Sequence, residues 1–234
     1  MGNVENTPIS ASKANRLYWL GRYEERVYLT LHLLRRVYDK MIDGDRQDYE
    51  TFWQKLDMSD SYGSTGEFTL GMMYDDKNPG SIMSSLNCAM DNAIMLREDI
   101  KSETMSYIEM SITLLKRFRN EAMTNVTNLQ PVTDWALAFW GSAAQRTGSP
   151  KILSLMMIGQ AVERIDIMLR FNYPFDRIAR ELYILQQWAG EWPELLDESI
   201  TAQLEEILEA PSTDNEDEAM RWTLNRYINQ LVRV

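Results

Sequence analysis

The chain has 234 residues, 44% hydrophobic and 25% charged, a balance that is ordinary for a soluble globular protein. Its net charge of −11 argues against binding to nucleic acid or to an anionic membrane surface, because both kinds of binding need an excess of Lys and Arg. The single cysteine cannot form an internal disulfide, the first residues lack the apolar core of a signal peptide, and no run reaches the roughly 18 apolar residues of a membrane helix. We therefore expect a cytoplasmic protein.

The first half of the chain begins with a long amphipathic helix. Apolar residues recur at helical spacing until Gly44 provides a stop, and a shorter helix is predicted for residues 47–56. Residues 1–7 are predicted to be flexible. Between residues 59 and 81, four glycines and a proline interrupt the helical period, which predicts one long irregular loop.

The second half reads as a series of helices. Ser81 and Ser102 are predicted to cap two of them, and a third opens at Pro131 and breaks at Gly148. The two capped helices are predicted over 82–100 and 102–126. The remaining predicted helical ranges are 151–171, 175–189, 193–209 and 216–233, with residues 210–218 as a polar linker before the last helix. No segment shows strand-like alternation of any length. The prediction is an all-α, single-domain, multi-helix bundle over residues 1–234.

Two of these helices share an unusual pattern, a glycine followed four residues later by a Glu-Arg pair. The two copies are Gly21, Glu25 and Arg26, and Gly159, Glu163 and Arg164. A glycine inside a helix costs about 1 kcal/mol relative to alanine, and close packing of a neighbouring helix would offset that cost. We therefore predict an internal Gly-x-x-x-Glu-Arg pseudo-repeat on two core helices that cross at the two glycines.

This arrangement has a consequence for the charged residues of the two copies. A pseudo-twofold relation would pair Glu25 with Arg164 and Glu163 with Arg26, while Asp166 adds a further acid three residues after Glu163. The alternative is that both Glu-Arg pairs are ordinary polar groups on exposed helix flanks, where ion pairs contribute little.

The first copy also resembles a known sequence signature. Residues 17–26 follow the pattern Leu-Tyr-Trp-Leu-Gly-Arg-Tyr, one variable residue and Glu-Arg, which resembles the N-terminal signature of the alpha-E family, a bacterial helical domain named for its helices and its Glu-Arg motif. Asn92 and Arg97 lie in a segment that resembles the central part of the family pattern, which here lacks one arginine. In the late signature Gln160 replaces another arginine. The resemblance extends to about residue 171.

The resemblance implies a setting without assigning a reaction. Alpha-E domains are associated with ATP-grasp-like ligases and with transglutaminase-like proteins, which suggests a system that makes or trims amide bonds on peptides. The domain itself has no established activity to carry over. The motif residues that we expect to form one polar network are Arg22, Glu25, Arg26, Asn92, Arg97, Glu163, Arg164 and Asp166.

Metal and cofactor chemistry finds little support in the sequence. His32 is the only histidine, so a ferritin-like di-iron site, which needs two Glu-x-x-His pairs, is nearly excluded. A carboxylate-only Mg²⁺ or Mn²⁺ site built from Glu25, Glu163 and Asp166 would be chemically sound, but the neighbouring arginines compete for the same oxygens. Residues 63–67 lack the Lys-Ser/Thr ending of a phosphate-binding loop. We predict no metal and no cofactor.

Aromatic residues are numerous, and their spacing places most of them in the core. The set comprises Trp19, Tyr23, Trp135, Trp140, Trp188 and Trp192. Rings exposed beside the Glu-Arg pairs would instead form a surface for a peptide or a protein partner.

Three functional interpretations follow. The first is an accessory helical module, not itself catalytic, that acts with an ATP-grasp-type ligase or a transglutaminase-like protein in peptide or amide-bond modification. The second is a stand-alone enzyme with Glu25 or Glu163 as acid/base, although Arg26 and Arg164 would lower the pKa of such a base. The third is a structural homo-oligomerisation domain. An open acidic cleft holding Glu25, Glu163 and Asp166 would favour the enzyme, and a sealed cluster would oppose it.

Overall fold

The computed structural model describes residues 9–42, 52, 54–56, 62–209 and 218–234. The helices within these ranges are α1 (Ala11–Ile42), α2 (Thr65–Tyr74), α3 (Ile82–Met95), α4 (Arg97–Ile100), α5 (Ser102–Asn120), α6 (Gln130–Arg146), α7 (Pro150–Arg170), α8 (Phe175–Ala189), α9 (Glu198–Glu209) and α10 (Glu218–Gln230), with a 3₁₀ turn at Val126–Leu129. The only extended pairing in the described ranges is one bridge between Leu196 and Val232. The all-α prediction is confirmed.

The bundle is organised around α1 and α7, which pack against each other along their length. Helix α3 packs on the other side of α1, while α8 and α10 pack on α7. Helix α7 is buried on nearly all of its faces, as expected for a helix that is apolar over most of its circumference. The two helices that carry the Glu-Arg motifs therefore form the centre of the fold.

The described helices differ from membrane-spanning ones in composition. None of those in the ranges above combines the length with the low charge content that crossing a bilayer requires.

Helix boundaries in the middle of the chain follow local backbone chemistry. The predicted cap is present at Ser81, whose hydroxyl accepts a hydrogen bond from the Ser84 amide at 3.0 Å. The helix predicted over 82–100 is divided at Leu96, so the prediction of one continuous helix was wrong there. Ser102 is not a cap either, because Lys101 takes the flanking position with φ of 70° and ψ of 151° and turns the chain between α4 and α5.

The predicted loop over residues 59–81 contains α2, so the prediction was wrong for the part from 65 to 74. The Ser64 hydroxyl caps α2 by accepting a hydrogen bond from the Glu67 amide at 3.2 Å. Gly71 lies inside this helix without breaking it. Its lack of a side chain leaves room for the Tyr62 ring, since a Cβ at Gly71 would lie 2.2 Å from a ring carbon. In sequence Gly71 resembles a helix breaker, whereas in the fold it serves side-chain packing.

Other predicted ends shift by a few residues. The helix predicted to reach 126 ends at Asn120, and those predicted for 193–209 and 216–233 are Glu198–Glu209 and Glu218–Gln230. Several predictions fall outside the described residues, namely the flexible segment 1–7, the stop at Gly44, most of the helix 47–56 and nearly all of the linker 210–218.

Candidate functional site

Helices α1 and α7 cross at the two motif glycines. A Cβ at Gly21 would lie 2.1 Å from the carbonyl oxygen of Met156, and a Cβ at Gly159 would lie 2.1 Å from the carbonyl oxygen of Tyr18. Each glycine therefore admits the backbone of the other helix, which is the close crossing that the sequence predicted. The contact is reciprocal, while the pseudo-repeat itself stays a prediction.

The carboxylate of Glu163 lies at the centre of the first motif contact. Arg22 donates from Nε to Oε2 at 2.7 Å, and Arg26 donates from Nε to Oε1 at 2.5 Å and from Nη2 to Oε2 at 2.9 Å. Burial alone would raise the pKa of Glu163, which is 1% exposed, but Arg26 and Arg22 together lower it to about 2. Glu163 is thus an anion over the whole ordinary pH range.

The second motif contact joins Glu25 of the first copy to Arg164 of the second copy. Arg164 donates from Nε to Glu25 Oε1 at 2.6 Å, and Gln160 donates from Nε2 to Glu25 Oε2 at 2.9 Å. Both ion pairs predicted from the repeated spacing are therefore present. Arg164 lowers the pKa of Glu25, as the argument from neighbouring arginines predicts, but burial outweighs Arg164 and Gln160 and leaves this pKa raised.

Helix α10 extends the cluster through two asparagines. Asp166 accepts from Arg170 Nε at 2.7 Å, from Asn225 Nδ2 at 3.0 Å and from Asn229 Nδ2 at 2.6 Å. The Oδ1 atom of Asn229 accepts in turn from Arg22 Nη1 at 2.9 Å. One amide therefore connects α1, α7 and α10. Neither asparagine is among the predicted network residues, because no pattern in α10 marks them as partners of a distant motif.

Two residues predicted for the network lie outside it. Asn92 accepts a hydrogen bond from Arg16 at 3.3 Å and donates to the Cys88 carbonyl at 3.1 Å. The Arg97 side chain is 61% exposed and approaches Glu98 at 3.8 Å. The break between α3 and α4 separates Arg97 from the helix that carries Asn92, so the central segment does not reach the Glu-Arg contacts.

Glu24 is a buried acid that the sequence analysis overlooked. It is 2% exposed and accepts no hydrogen bond from any residue in the described ranges. Burial, assisted by the charge of Glu25, raises its pKa to about 8. A signal was available, because Glu24 lies four residues after Leu20 and three before Val27, on the apolar face of α1.

A cleft of about 430 Å³ opens beside the cluster, and we call it the motif cleft. Its charged walls are Arg22, Arg26, Arg170, Glu163 and Asp166, and its aromatic walls are Trp19 and Tyr23. Three guanidinium groups face two carboxylates, so the cleft is not acidic, and Glu25 is not among the residues that line it. The half-buried rings of Trp19 and Tyr23 lie 5.4 Å apart beside the Glu-Arg contacts, as the sequence analysis considered.

The guanidinium groups lie over these rings. The Arg22 guanidinium carbon is 5.1 Å from the centre of the Trp19 ring, and that of Arg26 is 5.4 Å from the centre of the Tyr23 ring. Cation–π contacts of this kind hold an arginine in a fixed direction. The walls of the motif cleft that Arg22 and Arg26 form are therefore preorganised before any ligand binds.

The carboxylates do not form a metal site. In the described part of the chain, no three residues of the types His, Cys, Asp or Glu are grouped so that they could hold a metal ion. The oxygens of Glu163 and Asp166 already accept from arginine and asparagine donors, and Glu25 accepts from Arg164 and does not line the motif cleft. His32 is exposed and stacks on Tyr28 at 6.4 Å.

A smaller cavity of about 200 Å³ shares Arg170 with the motif cleft. Lys55, Arg221 and Trp222 line it as well. Burial and the nearby charge of Arg221 lower the pKa of Lys55. Basic side chains thus continue from the motif cleft along the contact between α7 and α10.

Comparison with known proteins identifies a family. The family model Alpha-E, described as a predicted alpha-helical domain with a conserved ER motif, matches residues 10–218. The two Glu-Arg pairs of the cluster both lie within that match. Neither a curated protein nor a solved structure matches the chain.

Proposed function

Because the chain belongs to the Alpha-E family, a class of helical domains described by its motif and not by a reaction, we propose that it is an accessory module rather than an enzyme. It acts in the cytoplasm with an ATP-grasp-type ligase in peptide or amide-bond modification. The motif cleft is the surface on which it holds a ligand or part of its partner.

The state of Glu163 carries this proposal. A general base needs a free lone pair and a pKa near the working pH. Glu163 has a pKa of about 2, and three N–H donors from Arg22 and Arg26 occupy its two oxygens. Glu25 has a raised pKa, but it does not line the motif cleft. The open face of the cluster therefore offers fixed charges and rings, which suit binding better than proton transfer.

The identity of the partner rests on the family resemblance of the sequence. ATP-grasp-like ligases are the expected partners, and transglutaminase-like proteins are a further class. The charge of the motif cleft is positive, whereas the net charge of the whole chain is negative. The cleft is therefore a place where such a partner can make contact through negatively charged groups.

Purification of the tagged chain from its own cells tests the proposal. Three versions are compared by mass spectrometry of the co-purifying chains: wild type, Arg26→Gln in the motif cleft, and Arg97→Gln as an exposed control. We expect an ATP-grasp-type ligase with the wild type and the control, and a clear loss with Arg26→Gln. Circular dichroism checks that all three are equally helical. Absence of any such ligase from the wild-type sample would overturn the proposal.

A further inference from the structure

We propose that the motif cleft binds an oxyanion, the carboxylate of a peptide or a phosphate group, between the Arg26 guanidinium and the Trp19 indole. This inference rests on the proposed function for its biological meaning, and it deepens it by naming the chemical class of the ligand.

The charge of the walls is the first argument. Arg22, Arg26 and Arg170 supply three positive charges, and Glu163 and Asp166 supply two negative ones. The motif cleft is thus locally positive in a chain whose net charge is −11. A local reversal of sign inside a concave surface concentrates ions of the opposite charge, here anions.

The hydrogen-bonding capacity of the walls is the second argument. Glu163 accepts three hydrogen bonds from guanidinium groups, and Asp166 accepts from Arg170, Asn225 and Asn229. The acceptors of the motif cleft are therefore satisfied by the protein itself. A cationic ligand would have to displace these donors from the carboxylates.

Donors, in contrast, remain available. Among the described residues, none accepts a hydrogen bond from Arg26 Nη1 or Trp19 Nε1, and the Arg26 side chain is 23% exposed. Arginine N–H groups bind carboxylate and phosphate oxygens in charge-assisted hydrogen bonds. A cleft with satisfied acceptors and free donors is complementary to an oxyanion.

The size and the rings of the motif cleft indicate that the anion is part of a larger molecule. A volume of about 430 Å³ lies in the range of small-molecule sites, well above what one inorganic ion needs. The faces of Trp19 and Tyr23 offer an apolar surface beside the donors. A peptide that ends in a carboxylate, or an organic phosphate, would use both features.

Calorimetric titration of the purified full chain tests the inference. The probes are acetyl-alanyl-alanine with a free carboxylate, the same dipeptide as its C-terminal amide, and inorganic phosphate, each raised to about 10 mM. We expect the free acid to bind at least about tenfold more tightly than the amide, because the amide is uncharged. Tighter binding of phosphate than of the acid, lost in the variants below, would assign the oxyanion to a phosphate source.

Three variants locate the binding. Arg26→Gln should weaken it about tenfold or more, and Trp19→Phe, which keeps an aromatic ring but removes the indole N–H, should weaken it about threefold. Arg97→Gln should leave it unchanged. Equal binding of the acid and its amide, no heat from either anion, or unchanged affinity in both cleft variants would overturn the inference.

The ligase plays no part in this titration, so the two proposals fail separately. Anion binding without a co-purifying ligase would overturn the proposed function alone. A co-purifying ligase without anion binding would overturn only the inference about the ligand.

Discussion

Gly21 of α1 lies directly against the carbonyl oxygen of Met156 in α7, so close that a Cβ would stand 2.1 Å away. Gly159 has the same relation to Tyr18. In both cases the obstacle is backbone, which cannot rotate aside as a side chain can. The two helices must therefore separate if either glycine gains a side chain.

We expect Gly21→Ala and Gly159→Ala each to destabilise the fold by about 3 kcal/mol or more, because the separation loosens the core around the crossing. Urea unfolding followed by circular dichroism measures this loss. Gly141→Ala is the matched control, since Gly141 lies inside α6 with nothing within 4 Å of its Cβ position. Alanine there should stabilise the helix by about 1 kcal/mol. A similar effect at all three glycines would contradict the crossing.

Glu163→Gln tests the centre of the cluster. The substitution removes the charge that two guanidinium groups share in a buried site, and the new amide places N–H groups against other donors. We expect a loss of about 3–5 kcal/mol in the free energy of unfolding.

The control for this loss is Glu98→Gln, the same substitution at a side chain that is 90% exposed. It should change the stability by less than about 0.5 kcal/mol. A loss below about 1 kcal/mol for Glu163→Gln would show that the cluster contributes little to the folded state.

Glu24 makes stability fall as pH rises. The folded protein keeps the Glu24 proton up to a pH of about 8, whereas the unfolded chain releases it near 4.5. Between these values the folded state binds more protons, so raising the pH favours unfolding, and the effect levels off above pH 8. The raised pKa of Glu25 acts in the same direction.

Replacing Glu24 by the neutral side chain in Glu24→Gln should remove much of this dependence, on the order of 4 kcal/mol between pH 5 and pH 8. Urea unfolding of the wild type and the variant at four pH values in that interval measures the difference. If the unfolding free energies of the two proteins change in parallel with pH, Glu24 is ionised in the folded state at neutral pH.

Lys101 holds a backbone conformation that suits glycine, with φ of 70° and ψ of 151°. A side chain in this region costs about 1–3 kcal/mol. Lys101→Gly should therefore stabilise the protein by about 1 kcal/mol, even though it loses the hydrogen bond from Nζ to the Glu98 carbonyl. Lys116→Gly, at an exposed position inside α5, should instead cost about 1 kcal/mol. Thermal unfolding measures the melting temperature of both variants. If both substitutions raise it, or both lower it, the backbone at Lys101 is not strained.

The central pair of helices was predictable because its signals are local and repeated. A glycine four residues before a Glu-Arg pair fixes which side of each helix meets the other, and the ion pairs of Glu25 and Glu163 follow from that geometry. The cleft was not predictable in the same way. Asn225 and Asn229 come from α10, whose position against α7 depends on packing of the whole bundle and not on any spacing within the motif.

Local signals also failed where one residue type serves two purposes. Gly71 looks like a helix breaker in sequence but lies inside α2. Its lack of a side chain makes room for the Tyr62 ring. Glu24 follows the apolar spacing of α1, but in the motif it counts only as the variable residue before the Glu-Arg pair. In both cases the neighbours in space, which sequence spacing does not give, decide the role of the residue.

The amide of Asn229 has a direction. Its oxygen meets the cationic Arg22 and its nitrogen meets the anionic Asp166, so rotating the group by half a turn would oppose like to like at both ends. Aspartate at this position would repel Asp166, and leucine would satisfy neither neighbour. Asparagine alone, at this side-chain length, matches a positive and a negative group at once, and so a single neutral residue links α10 to oppositely charged side chains of α1 and α7.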